Sequence, residues 1–169
     1  MPLPIDDGFL AVVKADCPTC QLVVPALEAL KAAGQPIVVV SQDNPSFPDG
    51  LDPVHDDDLS ISWGLQVEAV PTIFRIEAGD VRDSRVGWNR GEWRELTGDS
   101  ELGESLPEFQ PGCGSLTVEP GMALKLRRRF DGSSLTSREV ALGREEDPVE
   151  ACFARGWSDG LPVVPPTEE

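Results

Sequence analysis

Cys17 and Cys20 are the residues of this sequence whose type and spacing most clearly permit chemistry. They are separated by Pro18 and Thr19 in the stretch ADCPTCQLVVP, which ends at Pro25. Two thiols at this spacing can form a redox pair, supply half of a zinc site, or be ordinary buried thiols. The chain has only four cysteines and does not resemble a secreted disulfide scaffold, so the redox pair is the favoured interpretation.

The two cysteines fall at a predicted junction between a strand and a helix. Apolar residues recur at helical spacing after Cys20, and Gly34 suits the end of that helix. Cys17 would then lie at the helix start with an exposed sulfur, and Cys20 one turn inside. Unpaired N–H groups and the helix dipole at that end favour a thiolate, which is the attacking species. The second thiol could attack the resulting mixed disulfide without diffusing in.

The other potential metal or redox ligands are scattered along the chain. Zinc needs four ligands, and Cys113, Cys152 and His55 would have to complete a site without a second close pair. Cys113 lies between glycines in PGCGSL. It could pair with Cys152 or exchange with the Cys17 pair, but a free thiol in a turn is the simpler interpretation. No metal site and no cofactor are predicted.

Three further features have ordinary structural interpretations. The acidic run at 55–58 is expected to be solvated, since it has no calcium-loop spacing. Of Trp63, Trp88 and Trp93, at least two are expected to pack in the core rather than rim a substrate surface. The basic cluster Arg127–Arg129 is expected to lie on a solvated strand edge or to contact the acidic domain.

The order of predicted elements through residue 98 is strand, helix, strand, long acidic loop, two strands and helix. Strands on either side of a helix indicate a parallel unit, and an Ala-Gly-Asp turn adds an antiparallel hairpin. Strands are predicted at Phe9–Lys14, Pro36–Ser41, Thr72–Glu77 and Val81–Val86, and helices after the cysteine pair, near Leu59–Gly64 and after Asn89.

Composition divides the chain into a domain at residues 1–98, a linker at 99–112 that is rich in Glu, Gly, Ser and Pro, and an extension at 113–169. The first part of the extension is interpreted as short strands with glycine turns. A helix is predicted after Asp147, which can act as its N-cap with Pro148 at the first position.

Charge limits the classes of partner. The chain carries 14 basic and 30 acidic residues, for a net charge of −16. Such a surface repels phosphate backbones and anionic lipids, so neither a nucleic acid nor a membrane is an expected partner. The N-terminus does not have the pattern of a signal peptide and no long apolar run is present, so a cytoplasmic location is expected.

Taken together, these motifs resemble the thioredoxin superfamily over about residues 8–98. The matching features, at the expected spacings, are the Cys17–Cys20 motif, the helix proline Pro25, the Val-Pro-Thr at 70–72, the hairpin glycine Gly79 and Gly87 before the last helix. The resemblance implies an α/β, thioredoxin-like fold: a central mixed sheet flanked by helices, here followed by an extension of short strands and one helix.

The resemblance also implies roles for individual residues. Cys17 would be the attacking thiol, Cys20 the resolving thiol, and Pro71 a cis proline beside Val70, whose backbone would bind an extended substrate. The expected activity is thiol–disulfide exchange with a protein or small-molecule disulfide or thiol, together with a reductase or thiol donor. Ala11 stands where the family has a buried acid, which serves as a base for the resolving thiol. This departure keeps open an alternative, a thioredoxin-fold adaptor that recruits a partner through the extension.

Overall fold

A computed structural model describes residues 3–130, 142 and 147–158 of the chain. The chain divides into two units, Met1–Asp131 and Gly132–Glu169. This division lies well beyond the predicted linker at 99–112, because that segment packs against the first unit.

The first unit alternates strands and helices along most of its length. Its strands are β1 (Gly8–Val13), β2 (Ile37–Ser41), β3 (Val54–His55), β4 (Ala69–Val70), β5 (Thr72–Glu77), β6 (Asp80–Val86), β7 (Trp88–Asn89), β8 (Phe109–Gln110) and β9 (Cys113–Gly114). Its helices are α1 (Pro18–Ala32), α2 (Ser60–Gly64), α3 (Arg90–Thr97) and α4 (Met122–Phe130), with a 3₁₀ turn at Leu116–Val118.

The principal sheet has five strands in the order β3-β2-β1-β5-β6. β1 runs parallel to β2, β2 runs parallel to β3, and β5 and β6 are antiparallel additions on the other side. The predicted mixed sheet is therefore confirmed. Residues 9–13 of β1 are all buried, and because side chains alternate between faces, both faces of the sheet are covered. The carboxyl end of this central strand leads directly to the cysteine pair.

Helix α1 begins at Pro18, so Cys17 lies at the helix start as predicted. Pro18 occupies the first turn, where the missing N–H is tolerated, and Cys17 is the N-cap residue. The helix buries Val23, Leu27 and Leu30 in the core and continues through Pro25. Gly34, at φ +77°, follows its end. The first turn of α1 is thus fixed between a buried strand and a buried helix face.

The hairpin of β5 and β6 agrees with its prediction. Its two loop residues, Ala78 and Gly79, both have positive φ, of 53° and 79°. This is the backbone that a two-residue hairpin loop of type I′ requires, since its twist matches that of the flanking strands. The hairpin places Thr72, and the Val70–Pro71 bond before it, at the end of the sheet where Cys17 lies.

The predicted linker at 99–112 packs against the first domain instead of separating it from the extension. Trp88 and Trp93 are fully buried with ring centroids 5.0 Å apart, which confirms their predicted core role. The Trp88 indole N–H donates to the Pro107 carbonyl at 2.7 Å, and Leu102 is buried in the same core. β8 then pairs with β7. Composition missed these contacts because the segment is polar overall and only a few of its residues carry the packing.

The extension also differs from its prediction. Residues 122–130 form helix α4 rather than short strands, because MALKLRRRF is rich in strong helix formers and has no β-branched residue. In the second unit, α5 (Pro148–Ala154) confirms the helix predicted after Asp147, whose carboxylate accepts from the N–H groups of Val149 and Glu150. Within the described residues, no helix is long and apolar enough to cross a membrane.

Candidate functional site

Cys17 lies at the junction of β1 and α1, where the sequence predicts it. Its backbone is extended, with φ −142°, and its sulfur accepts a hydrogen bond from the Cys20 N–H at 3.3 Å. The loop before it is held by the Asp43 carboxylate, which accepts from the N–H groups of Ala15 and Asp16 at 2.7 and 3.0 Å. The thiol therefore caps the helix in the way that a serine or aspartate side chain would.

The Val70–Pro71 loop faces this sulfur. The Val70–Pro71 peptide bond is cis, which confirms the prediction for Pro71. The Val70 carbonyl oxygen lies 3.6 Å from Cys17 Sγ. Residues more than 50 positions apart in sequence thus lie together, as the resemblance to the thioredoxin superfamily led us to expect.

Cys113 also lies beside Cys17: it is a free thiol, as interpreted from the sequence, but it lies on a strand rather than in a turn. It lies on β9, which pairs antiparallel with β4 so that Cys113 is opposite Val70. Its Sγ atom is 2.7 Å from Cys17 Sγ. Cys152, the fourth cysteine, lies half-buried on α5 in the second unit. The Gly-Cys-Gly sequence around Cys113 was the available signal, because glycines permit close backbone approach.

Burial of the three sulfur-bearing residues differs from expectation. Cys17 and Cys20 have no exposed surface, whereas Cys113 is half-buried. The sequence predicts an exposed Cys17 because the first turn of a helix normally faces solvent. Here β9 pairs beside that turn and covers it. A reagent in solution therefore meets Cys113 before it meets Cys17.

The pKa of the Cys17 thiol is nevertheless below its usual value. Burial raises this pKa, but hydrogen bonds from the Cys113 thiol and from the Cys20 and Thr19 backbone stabilise the thiolate and outweigh burial. The pKa of Cys113 is raised, first by partial burial and then by its hydrogen bond to Cys17 and the negative charge there. The two neighbouring thiols therefore have pKa values shifted in opposite directions, and Cys17 is the more readily ionised of the two.

The pKa of the Cys20 thiol is shifted in the opposite direction from that of Cys17. Burial strongly raises the pKa of this thiol, and the negative charge of Cys17 raises it further. A hydrogen bond from the Lys14 N–H to Cys20 Sγ, at 3.4 Å, is the counteracting influence. Ala11 is fully buried on β1. No carboxylate at that position is available to accept the Cys20 proton.

The remaining candidates lie elsewhere in the fold. His55 is exposed on β3, and the described residues contain no group of three or more His, Cys, Asp or Glu placed to hold a metal ion. Asp56 is buried, contrary to the expectation for the acidic run, and its carboxylate accepts from the N–H groups of Ile61 and Ser62 at the start of α2. Arg129 contacts Asp58 at 2.8 Å, so the basic cluster does contact the acidic domain, from a helix rather than a strand.

Comparisons with known proteins leave the family of this chain open. No family model matches it, and no curated protein matches it. Among solved structures, it is similar to a hypothetical protein from Sinorhizobium meliloti 1021, with 18% sequence identity and a TM-score of 0.37. That similarity covers 64% of this chain and 79% of the other.

Proposed function

We propose that the protein is a thiol–disulfide oxidoreductase with a thioredoxin-like fold, in which Cys17 attacks and Cys20 resolves. The observation that carries this proposal is that Cys17 and Cys20, three residues apart, have pKa values shifted in opposite directions. The pKa of Cys17 is lowered at the start of α1, where its sulfur accepts from the Cys20 N–H, whereas burial strongly raises the pKa of Cys20 one turn inside. A redox pair needs this asymmetry, because one thiol must react first and the other must wait.

The fold part of the proposal is supported by the positions of the motifs. The cysteine pair follows β1, Pro25 lies inside α1, and the cis Val70–Pro71 bond precedes the β5–β6 hairpin. Each lies where the resemblance requires it. The hairpin and the final helix α3 complete the same order of elements.

The reaction follows from the arrangement of the sulfur atoms. The Cys17 thiolate attacks one sulfur of a substrate disulfide, forming a mixed disulfide and expelling the other sulfur as a thiolate, which takes a proton from solvent. Cys20 then loses its proton and attacks Cys17 Sγ. The Cys17–Cys20 disulfide forms, and the second substrate thiolate leaves. The substrate gains two electrons and the cysteine pair loses two.

Deprotonation of Cys20 is the demanding step. Its pKa is strongly raised by burial, and Ala11 supplies no acceptor. Once Cys17 is in a mixed disulfide, the negative charge that opposes ionisation of Cys20 is gone, which makes the step easier. We therefore expect resolution, rather than the first attack, to limit the turnover of small disulfides.

Substrates and donors are proposed only by chemical class. A protein or small-molecule disulfide fits a site formed by a thiolate and a backbone carbonyl at Val70. Return to the dithiol state requires a separate reductase or thiol donor. No cofactor is part of this proposal.

One observation favours the alternative, an adaptor module with little redox activity. Cys17 has no exposed surface, since β9 lies beside it. If β9 stays in place permanently, substrates do not reach the thiolate, and the domain would act through binding alone. The two proposals differ in whether the chain turns over a disulfide.

The test is dithiothreitol-driven reduction of insulin, and of hydroxyethyl disulfide, by the full chain. We expect wild-type protein and Cys152→Ser, a matched control in the second unit, to be active. Cys17→Ser should lose more than about a hundredfold of the rate, because a hydroxyl is not ionised near neutral pH. Equal rates for wild type and Cys17→Ser would contradict the enzyme proposal, and no activity in any form would favour the adaptor.

A further inference from the structure

Cys113 is held in place by hydrogen bonds on both sides of it. Before it, the Thr19 hydroxyl donates to the Pro111 carbonyl at 2.7 Å. After it, the Lys14 ammonium donates to the Gly114 carbonyl at 3.1 Å, and the Ser115 N–H donates to the Glu68 carbonyl at 3.0 Å. Thr19 lies between the two cysteines and Lys14 precedes them, so the segment is attached to the site itself.

A buried amide fixes the segment further along. Gln42, only 3% exposed, donates through Nε2 to the Ser115 hydroxyl at 2.8 Å and accepts from the Leu116 N–H at 3.1 Å. The Thr117 hydroxyl donates to the Val67 carbonyl nearby. A buried side-chain amide with its polar atoms satisfied specifies one arrangement of the backbone.

Two glycines allow the close approach of this segment to the Val70–Pro71 loop. A Cβ atom at Gly87 would lie 2.8 Å from the Gly112 nitrogen, and a Cβ atom at Gly112 would lie 2.9 Å from the Val70 oxygen. Any other residue at either position would push the two backbones apart. The sequence thus contains a fitted contact that brings Cys113 to Cys17.

We propose that Cys113 is a third redox-active cysteine, which forms a disulfide with Cys17 that Cys20 then displaces. The 2.7 Å separation of Sγ atoms needs a movement of less than about 1 Å to reach a disulfide bond length. Cys113 is the partly exposed member of the pair, so it connects the buried thiolate to solvent. This inference rests on the proposed function.

The steps balance with a small disulfide as oxidant. One thiolate of the Cys17–Cys113 pair attacks the disulfide, giving a mixed disulfide and one free small thiol. The other thiol loses its proton and attacks the protein sulfur of that mixed disulfide, which forms Cys17–Cys113 and releases a second small thiol. Cys20 can then attack Cys17 Sγ, giving Cys17–Cys20 and returning Cys113 to a thiol.

The Cys17–Cys113 disulfide also controls access to Cys17. β9 occupies the backbone edge of Val70, so an extended polypeptide cannot pair there until β9 leaves. The Cys17–Cys113 disulfide holds β9 closed. Displacement by Cys20 removes that covalent link and lets the segment open.

The test maps disulfides in the full-length Cys20→Ser variant, incubated with oxidised and reduced glutathione, quenched in acid and alkylated. Trypsin separates the Cys17 peptide from the Cys113 peptide, because it cleaves after Lys14, Lys31, Arg94 and Lys125. We expect a Cys17–Cys113 disulfide. The matched control Cys20→Ser/Cys113→Ser should instead retain glutathione on Cys17, at least about tenfold more than Cys20→Ser, because no intramolecular thiol remains to displace it. Circular dichroism checks that each variant is folded.

The outcomes separate this inference from the proposed function. Persistent glutathione on Cys17 of the Cys20→Ser variant, with Cys113 free, overturns the role of Cys113. If wild-type protein reduces insulin in that case, the proposed function stands alone. A Cys17–Cys113 disulfide in a chain without reductase activity would leave the third-cysteine inference standing and reject the oxidoreductase. In the wild-type chain, a Cys17–Cys113 disulfide among the oxidised forms would support the role of Cys113 without any substitution.

Discussion

Besides the Val70 carbonyl, two regions of the molecule contact the Cys17 sulfur, and they reach it in different ways. The first turn of α1 contributes the N–H group of Cys20, three residues away. Strand β9 contributes the Cys113 thiol, 96 residues away. The helix turn is fixed by local backbone hydrogen bonds within α1, whereas β9 is a two-residue strand held by backbone pairing with the distant β4, by a few side chains and by one narrow glycine contact.

This difference shows that the thiolate has one permanent and one removable source of stabilisation. Both contacts lower the pKa of Cys17 against the effect of burial. The helix contact persists whenever α1 is folded, but the Cys113 contact exists only while β9 is closed. Opening β9 therefore exposes Cys17 and weakens its stabilisation at the same time. In the closed protein the pKa of Cys17 is lowered, but its sulfur has no exposed surface.

The largest expected effect is on trapping of substrates. The sequence alone predicts that Cys20→Ser traps mixed disulfides, but β9 supplies a second thiol that can release them. We expect Cys20→Ser/Cys113→Ser to accumulate at least about ten times more adduct than Cys20→Ser, and Cys17→Ser to accumulate none. Non-reducing gels after rapid alkylation measure this. Equal adduct in the single and double variants would show that β9 takes no part in resolution.

The next effect is on the ionisation of Cys17. Cys113→Ala removes a hydrogen-bond donor to the thiolate, so the pKa of Cys17 should rise, whereas Cys113→Ser retains a donor and should raise it less. The pH dependence of Cys17 alkylation measures this, because the midpoint reports the pKa and the plateau reports access. A higher pKa lowers the alkylation rate near neutral pH. An unchanged midpoint in Cys113→Ala would mean that the helix turn alone stabilises the thiolate.

A smaller effect is expected where β9 is held against the loop. Gly87→Ala should destabilise the fold by about 3 kcal/mol, because a Cβ atom would strain the backbone at φ +70° and collide with Gly112. Gly34→Ala is the matched control, at φ +77° with no atom within 4 Å, and should cost about 1 kcal/mol. Urea unfolding measures both. Equal losses would argue against the fitted contact with the β9 segment.

The smallest effects concern the polar contacts that follow β9. Gln42→Ala should cost about 2 kcal/mol, since it leaves the buried Ser115 hydroxyl and the Leu116 N–H without this partner. Arg129→Gln breaks a solvent-exposed ion pair with Asp58 and should change stability by less than about 0.5 kcal/mol. Thermal unfolding compares the two. A larger loss of stability for Arg129→Gln than for Gln42→Ala would mean that α4, rather than Gln42, holds this segment in place.

The contrast between the two regions also explains what the sequence could predict. The strand before Cys17, the helix after it and the hairpin near Pro71 follow from apolar periodicity and turn residues, which are local signals. The position of Cys17 at the helix start came from the same signals. Its position beside Val70 was expected only from the resemblance to the thioredoxin superfamily.

The β9 contact could not be predicted in this way. Phe109–Gln110 and Cys113–Gly114 are too short to show alternation, and their pairing depends on distant backbone edges at β7 and β4. Burial of Cys17 follows from that pairing and was missed with it. Residues 122–130 differ: their propensities favour the helix that the structure has, so there a local signal was present in the sequence although short strands were predicted.

The central claim is that Cys17 is the sulfur through which every redox change of this chain passes. A redox titration of wild-type protein in mixtures of reduced and oxidised glutathione, followed by acid quenching, alkylation and peptide mapping, tests it most directly. The account predicts that Cys17 is in a disulfide in every intramolecularly oxidised form, with Cys20 as its partner at equilibrium and Cys113 as its partner in the remainder. An oxidised protein in which Cys17 is still a free thiol, with Cys113 bonded to Cys152 or Cys20, would contradict it.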